Sequence, residues 1–330
     1  MDRHEDLRWD ADLRLFSGAM MLRWTAAVAV TLLVMALIMG VALVPGDGWK
    51  TFFRMLPLFA AVAGGLWLLG VLVMAVVFRG RYAVRYTLSD TGIRLETRSK
   101  AAKFANRAVV VAGVLAGKPG AVGSGLIAQS QETQEVRWGG PLRVEASDAD
   151  HVVTLRGPWR PLMVVQCTAG NYRDVLARVR AGVEGRRKDP ASAARKSPLP
   201  RYLLRTAGVA IACVPLFAVA DEYRLDLFVP ILVLCFALAT VWMVPILGWV
   251  VLGGLALFAG QLVMALSGTR TSFFRPGTSY RAYEMLSGDD WALLALFAAG
   301  AAWLAWLSIS GLRGRIRSAF AADMDDMDGA

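Results

Sequence analysis

The chain has 330 residues, 56% of which are hydrophobic, and its mean hydropathy is +0.48. A water-soluble fold of this size rarely buries so much apolar surface, so the composition excludes an ordinary soluble protein. The formal net charge of +10 is concentrated in one segment, because residues 79–205 carry 23 Lys and Arg against 10 Asp and Glu.

The apolar residues gather in five blocks, which are Thr25–Val44, Leu56–Phe78, Thr206–Ala220, Leu227–Leu266 and Trp291–Ile309. A helix needs about 20 apolar residues to cross roughly 30 Å of hydrocarbon, and lipid satisfies no backbone groups, so these blocks are predicted to be helices. The fourth block holds no charged residue and is about twice one span, so it is predicted to fold back at Pro245–Gly248. Six transmembrane helices result. The block Thr206–Ala220 is the weakest, and an interfacial or re-entrant helix there is the alternative, which leaves five spans.

Basic flanks indicate the orientation of the chain in the membrane. Arginines lie before the first apolar block, after the last one and at both ends of the central segment. Because Lys and Arg stay preferentially on the cytoplasmic side, both termini and the central segment are predicted to be cytoplasmic. The predicted location is a bacterial inner (plasma) membrane, crossed several times and without a cleaved signal peptide. Cys167, Cys213 and Cys235 have no CxxC partner and are predicted to form no disulfide.

Between the second and third predicted helices, apolar and polar residues alternate, which is typical of strands with one buried face. Tyr82–Leu88 and Ile93–Thr97 flank a turn at Ser89–Gly92. Further alternating runs follow at Val136–Trp138, Leu142–Ala146, Val153–Leu155 and Leu162–Cys167. Apolar residues from Tyr172 to Val183 are spaced as on one face of a helix. The segment is therefore predicted to be an α+β domain, an antiparallel sheet closed by a C-terminal helix.

The order of predicted elements resembles the pleckstrin-homology-like (PH-like) domains of bacterial membrane proteins. It consists of two transmembrane helices, a strand pair, more strands and a closing helix. The strand pair has the pattern Tyr82-x-x-x-Tyr86-x-Leu88-Ser89-Asp90-x-Gly92-Ile93. The YcxB-like and YdbT-like groups are the examples that the pattern resembles. The resemblance covers residues 82–98 and 136–183, and it implies a fold and a membrane setting rather than an activity. Residues 99–133 depart from the pattern as an insert with an apolar run at Ala108–Gly117, which is too short to span a bilayer. A helix packed on the sheet, a segment dipping into the inner leaflet and a loop are the alternatives.

The predicted organisation has five parts. They are residues 1–79 with the first two transmembrane helices, 80–185 as the PH-like domain, 186–201 as a basic linker, 202–312 with four transmembrane helices, and 313–330 as a basic and then acidic tail.

Signals for chemistry are weak. The run Gly113–Pro119 lacks the spacing and the Ser/Thr of a phosphate loop, and Gly123–Ala128 lacks the βαβ context of a dinucleotide site. His4 and His151 have no acidic or cysteine cluster beside them in the sequence, so no metal site and no His-based catalytic site are predicted. The sequence predicts a protein that is not an enzyme and needs no cofactor.

The basic ends of the central domain suggest docking. Anionic lipid headgroups attract Lys and Arg near the membrane surface, and the candidate contacts are Arg79, Arg81, Arg186, Arg187 and Lys188. A protein partner is the other candidate ligand, and no nucleic acid is expected because no binding motif supports it. A small-solute transporter or channel is the alternative function. Small residues at Ala61/Gly65 and Ala256/Gly260 indicate close helix packing inside the monomer, with a homo-oligomer seam as the alternative.

Overall fold

The computed structural model describes residues 6–76, 78–98, 133–140, 142–185, 197–271 and 279–320. The chain divides into two compact units. The first, here called the sheet unit, contains Met1–Val28 and Gly65–Pro198, and the second, the helical unit, contains Ala29–Gly64 and Leu199–Ala322.

A helical stretch from Gly18 to Val76 is broken at Gly48, which has φ 75° and ψ 173°. A positive φ favours glycine because a Cβ would be strained there. The break yields two spans, α1 (Met20–Gly46) and α2 (Gly48–Val76), which together form the N-terminal hairpin. Reciprocal contacts hold its two arms side by side in the sheet unit. Trp24 Nε1 donates to the Trp67 carbonyl at 3.3 Å, and Trp67 Nε1 donates to Thr25 Oγ1 at 3.0 Å.

The sheet unit contains two antiparallel sheets. The first has the order β1-β2-β3-β4, with β1 Leu7–Arg14, β2 Arg81–Leu88, β3 Gly92–Thr97 and β4 Thr133–Arg137. The second has the order β5-β6-β7, with β5 Arg143–Ser147, β6 Val152–Arg156 and β7 Pro161–Gln166, and helix α3 (Tyr172–Gly185) follows it. The predicted strands after residue 80 and the closing helix are confirmed, and with them the mixed helix-and-sheet class.

Alternation explains the core of the sheet unit. Tyr86 of β2, Ile93 of β3, Val153 of β6 and Val179 of α3 are all completely buried in one apolar cluster. Such alternation places every second residue of a strand on the same face, and the spacing of α3 does the same for a helix. The two sheets and α3 therefore enclose a single core.

The first strand was not expected from the sequence. β1 pairs with β2 at all eight positions, from Leu7 opposite Leu88 to Arg14 opposite Arg81. Its apolar residues, Leu7, Trp9, Ala11 and Leu13, pack against the core. The sheet therefore begins before α1, in the stretch that the sequence assigns to the N-terminal segment.

The helical unit contains α4 (Leu199–Glu222), α5 (Phe228–Trp242), a 3-10 turn at Pro245–Leu247, α6 (Gly248–Ser267) and α7 (Gly288–Leu312). A short hairpin of β8 (Thr269–Thr271) and β9 (Ser279–Arg281), followed by a 3-10 turn at Ala282–Met285, precedes α7. The predicted break near Pro245 is confirmed. α4 is longer than the predicted block Thr206–Ala220, and the shortest of these apolar helices is instead α5, with 15 residues.

In the part of the chain that the structure describes, five helices are long and apolar enough to cross a membrane, namely α1, α2, α4, α6 with the turn before it, and α7. α5 is apolar but shorter. Only 6% of the most apolar part of α1 or α2 is buried, against 28–39% for the others. These lengths and exposed apolar surfaces are those of a multi-pass membrane protein.

Candidate functional site

The end of the four-stranded sheet from which α1 and α2 depart is here called the hairpin end. Arg14, the last residue of β1, lies opposite Arg81, the first residue of β2, so both strands meet the helices at this end. The opposite end, with Leu7 and Leu88, is called the far end. Eight residues of extended strand make the two ends about 23 Å apart.

The connections at the hairpin end are short and hydrogen-bonded to each other. The Leu15 amide donates to the Gly80 carbonyl at 3.0 Å, and the Gly80 amide donates to the Met74 carbonyl at 2.9 Å. Arg79 and Gly80 both have positive φ, 49° and 72°, which turns the chain sharply from α2 into β2. The strands are thus tied directly to the helices of the hairpin.

Basic and aromatic side chains surround these connections. Arg79 and Arg81 are exposed, Phe16 is 48% exposed, and the Phe78 ring lies 5.7 Å from that of Tyr82. Residues Phe16, Phe78, Arg79 and Arg81 are here called the collar. Within the described part of the chain, neither collar arginine has an ion-pair partner. Exposed aromatic rings and uncompensated arginines are the side chains that a membrane–water interface favours.

Five other arginines on the outer face of the same sheet are in a different electrostatic state. Each of five has a carboxylate within 4 Å, in the pairs Arg8–Asp6, Arg85–Asp10, Arg98–Asp10, Arg94–Glu96 and Arg137–Glu135. A hydrogen bond from Arg85, supported by Arg98, holds the pKa of Asp10 below its usual range. Charges that are already compensated attract an added anion weakly, so the positions of these five arginines are poor anion sites.

A cavity of about 350 Å³ opens on this outer face near the far end. Its lining includes Arg8, Arg85 and Arg94 but also Asp6, Glu96 and Glu135. The charged lining residues therefore carry no net charge, so the cavity does not favour ligands of one sign. We therefore place the candidate site at the collar and not in this cavity.

The sequence-predicted contacts Arg186, Arg187 and Lys188 lie outside the described residues, so only Arg79 and Arg81 are placed. The chain leaves α3 at the far end. A Cβ on Gly182 would lie 2.8 Å from the Trp138 indole nitrogen, which itself donates to the Ser89 carbonyl in the β2–β3 turn. The described end of α3 is thus at the opposite end of the sheet from Arg81, and the grouping of all five residues at one surface stays a prediction.

The insert, the nucleotide-like glycine runs and His4 also lie outside the described residues. The strands that flank the insert end near the hairpin end, since Thr97 is opposite Val84 and Thr133 is opposite Glu96. His151, in contrast, is described, and its ring meets the Tyr172 ring edge-on at 5.5 Å. Tyr172 donates to Asp148 at 2.5 Å, which fastens the β5–β6 turn to the start of α3. This cluster has a structural explanation.

In the helical unit, Asp290 and Asp221 each lie in a defined local environment. Asp290 accepts from the Ser287 amide and hydroxyl, both at 2.8 Å, and so caps the start of α7. Asp221 lies against Gly46, where an added Cβ would be 3.0 Å from its carboxyl carbon. No group of three metal-ligating side chains occurs among the described residues.

Close helix approaches occur at glycines other than the predicted ones. A Cβ on Gly300 would lie 2.5 Å from the Ala212 carbonyl oxygen, and one on Gly254 would lie 2.7 Å from Val233. Gly65 and Gly260, in contrast, have no described atom within 4 Å of such a Cβ. Packing inside the monomer does not explain these two small-residue faces, and the homo-oligomer seam stays a prediction.

The residue set that sequence reasoning missed is β1 together with Phe16. The signal was present, because Leu7, Trp9, Ala11 and Leu13 alternate with charged residues. The charged residues of this stretch were interpreted as the polar flank of a transmembrane helix, so the strand was not predicted. Comparison with protein-family models, with curated proteins and with solved structures finds no match for this chain.

Proposed function

We propose that the sheet unit is a PH-like docking module that binds anionic lipid headgroups at its collar and carries out no catalysis. The observation that carries this proposal is the contrast between the uncompensated Arg79 and Arg81 and the five ion-paired arginines of the outer face. The order of strands, four and then three, followed by one helix supports the PH-like assignment, as does the sequence resemblance.

The pairing of β1 with β2 also supports the proposed orientation. Because the two strands form one sheet, the segment before α1 and the segment after α2 lie on the same side of the bilayer. The excess of Lys and Arg in the central segment makes that side the cytoplasm, in an inner membrane of bacterial type. The hairpin end then faces the inner leaflet, where anionic headgroups are available to the collar.

The test uses the full chain in vesicles of phosphatidylcholine and phosphatidylglycerol. Spin-labelled lipids report the selectivity for the anionic over the neutral headgroup from their immobilised fractions. Each arginine near the surface contributes about 1 kcal/mol, so Arg79→Gln with Arg81→Gln lowers the relative affinity at this site roughly 30-fold at low salt. High salt reduces the difference because the interaction is screened.

Arg94→Gln with Arg137→Gln is the matched control. It removes the same charge from the far half of the same sheet, where both arginines pair with glutamates, Glu96 and Glu135. We expect this variant to keep the lipid selectivity of the wild-type protein. If the collar variant has the same lipid selectivity as the wild type, lipid docking is contradicted and a protein partner is favoured. If both double variants lose the same amount of lipid selectivity, only the net charge of the protein matters.

A further inference from the structure

The described acidic side chains of the helical unit all lie at one end of its helices, where α4 and α6 finish and α5 and α7 begin. They are Asp221, Glu222, Asp226, Glu284, Asp289 and Asp290. At the opposite end, the described side chains include arginines but no Asp or Glu. Residues Arg201, Arg205, Arg313 and Arg315 are here called the arginine end.

Close packing of α4 against α7 brings these arginines to one place. A Cβ on Gly208 would lie 2.7 Å from the Trp303 ring, and one on Gly300 would lie 2.5 Å from the Ala212 carbonyl oxygen. A later residue of α4 thus lies level with an earlier residue of α7, so the two helices are antiparallel. The same register places Arg201 beside the last turn of α7.

The segment after α7 folds back onto the end of that helix. The amides of Arg315 and Ile316 both donate to the Ser310 carbonyl, at 3.0 and 3.1 Å. From the first turn of α4, the Tyr202 hydroxyl donates to the Ser318 carbonyl at 3.5 Å. The segment is therefore held at the end of α7 and next to the start of α4.

The charges of the arginine end are not neutralised by the described part of the chain. Arg201, Arg313 and Arg315 are exposed. Arg205 is half-buried, with its guanidinium carbon 5.6 Å from the Tyr202 ring centroid. No described carboxylate forms an ion pair with any of these four arginines. Arg201 and Arg205 are one helical turn apart, where like charges repel, and an anion bound beside both removes this repulsion.

The surroundings of the arginine end favour a lipid headgroup over a soluble anion. α4 has 24 residues and α7 has 25, so they rise about 36 and 38 Å. The hydrocarbon layer is about 30 Å thick, so the ends of both helices reach the headgroup layer. Leu203 and Leu204, between the two arginines of α4, are 52% and 74% exposed. Cationic side chains next to exposed apolar ones match a lipid phosphate and its acyl chains.

We propose that the arginine end binds the headgroup of a lipid with two phosphates, of the cardiolipin type, where the start of α4 adjoins the segment after α7. Arg201 and Arg205 bind one phosphate, and Arg313 and Arg315 bind the other, because each pair belongs to one of the two adjacent segments. Guanidinium groups bind phosphate through paired N–H donors, and basic pockets between transmembrane helices bind headgroups of this class. This inference concerns the helical unit alone and does not depend on the proposed docking function.

Spin-labelled cardiolipin and spin-labelled phosphatidylglycerol, which differ in the number of phosphates, test the proposal on the full chain in phosphatidylcholine vesicles. The collar variant is the parent protein, so that the collar adds no lipid preference of its own. The parent should prefer cardiolipin roughly 30-fold at low salt, because two further arginines contact the second phosphate. Two double variants, Arg201→Gln with Arg205→Gln and Arg313→Gln with Arg315→Gln, should each bind the two lipids about equally, because either change leaves one phosphate site.

Lys50→Gln with Arg54→Gln is the matched control. It removes the same charge from two exposed side chains near Gly46, which lies against Asp221 at the acidic end of the helices. This control should keep the preference for cardiolipin. A parental preference in either double variant of the arginine end, or an equal loss in the control, would overturn the proposal. A parent protein without the preference would also overturn it and would favour the aspartates at 323–328, which lie outside the described residues, as the occupant.

Discussion

Removing β1 is predicted to unfold the sheet unit, although most of its strands lie after residue 80. The design compares two soluble proteins. One joins residues 6–14 to residues 81–185 through Asn-Gly, which suits a two-residue hairpin turn because Arg14 and Arg81 are directly opposite each other. The other contains residues 81–185 alone. The first should fold, because it keeps all seven strands and α3 while omitting the N-terminal hairpin.

The magnitude follows from what β1 contributes. Leu7, Trp9 and Leu13 are half-buried, and a fully buried side chain of this kind contributes about 1.5–3 kcal/mol, so the three contribute about 3–4 kcal/mol together. Trp9 also stacks on Tyr86 at 5.2 Å and donates to the Gln166 carbonyl at 3.0 Å, which adds about 1 kcal/mol for each contact. The loss of about 5–6 kcal/mol is comparable to the entire stability of a small domain.

Urea unfolding followed by circular dichroism and tryptophan fluorescence measures this difference. We expect a cooperative transition for the protein with β1 and none for the protein without it. Trp9→Phe in the first protein is the graded control, because it keeps a ring on Tyr86 but removes the indole hydrogen bond, for a loss of about 1 kcal/mol. Equal transition midpoints for the two proteins would refute the assignment of β1 to the core.

Three further predictions concern the same soluble protein. Gly92→Ala should lower the free energy of unfolding by about 3 kcal/mol, since the added Cβ would lie 2.4 Å from the Val136 carbonyl oxygen, and an unchanged urea midpoint would contradict this packing. The pKa of Asp10 is lowered by the hydrogen bond from Arg85, so its stabilising effect is present above about pH 4 and disappears as the pH falls through the lower folded pKa. The stability difference between wild type and Asp10→Asn should therefore shrink on acidification, and a difference that grows below pH 4 would reverse the argument. Burial raises the pKa of the Cys167 thiol to about 11, so maleimide should label it slowly at neutral pH and rapidly only after unfolding, whereas fast native labelling would show that the sheet opens there.

Local patterns predicted most of the sheet unit and the apolar helices. Tyr82–Leu88 and α3 each have one buried face. Residues on a buried face are apolar, so the spacing of the apolar residues in the sequence predicts the strand and the helix. β1 was not predicted because two transmembrane helices separate it from its partner strand in the sequence. Its charged residues also fit the polar flank of a transmembrane helix. The alternation in residues 7–14 indicates a strand, but no local pattern identifies a partner strand so far away in the sequence.

The candidate site was predicted only in part. Arg79 and Arg81 were identified from their position next to an apolar block, but only the three-dimensional structure shows that no described carboxylate forms an ion pair with them. Gly300 and Gly254 were missed as close-packing positions, while Gly65 and Gly260 were named instead. A small residue allows a helix to approach another helix closely. The rotation of each helix about its axis then decides which of its small residues lies at the contact.

The position of β1 before the first transmembrane helix has a consequence for biosynthesis. The strand leaves the ribosome first, yet its partner β2 emerges only after both arms of the N-terminal hairpin have been made. If only one arm crosses the bilayer, β1 and β2 end on opposite sides and the sheet cannot close. Closure of the four-stranded sheet is therefore compatible only with an even number of crossings between its first two strands.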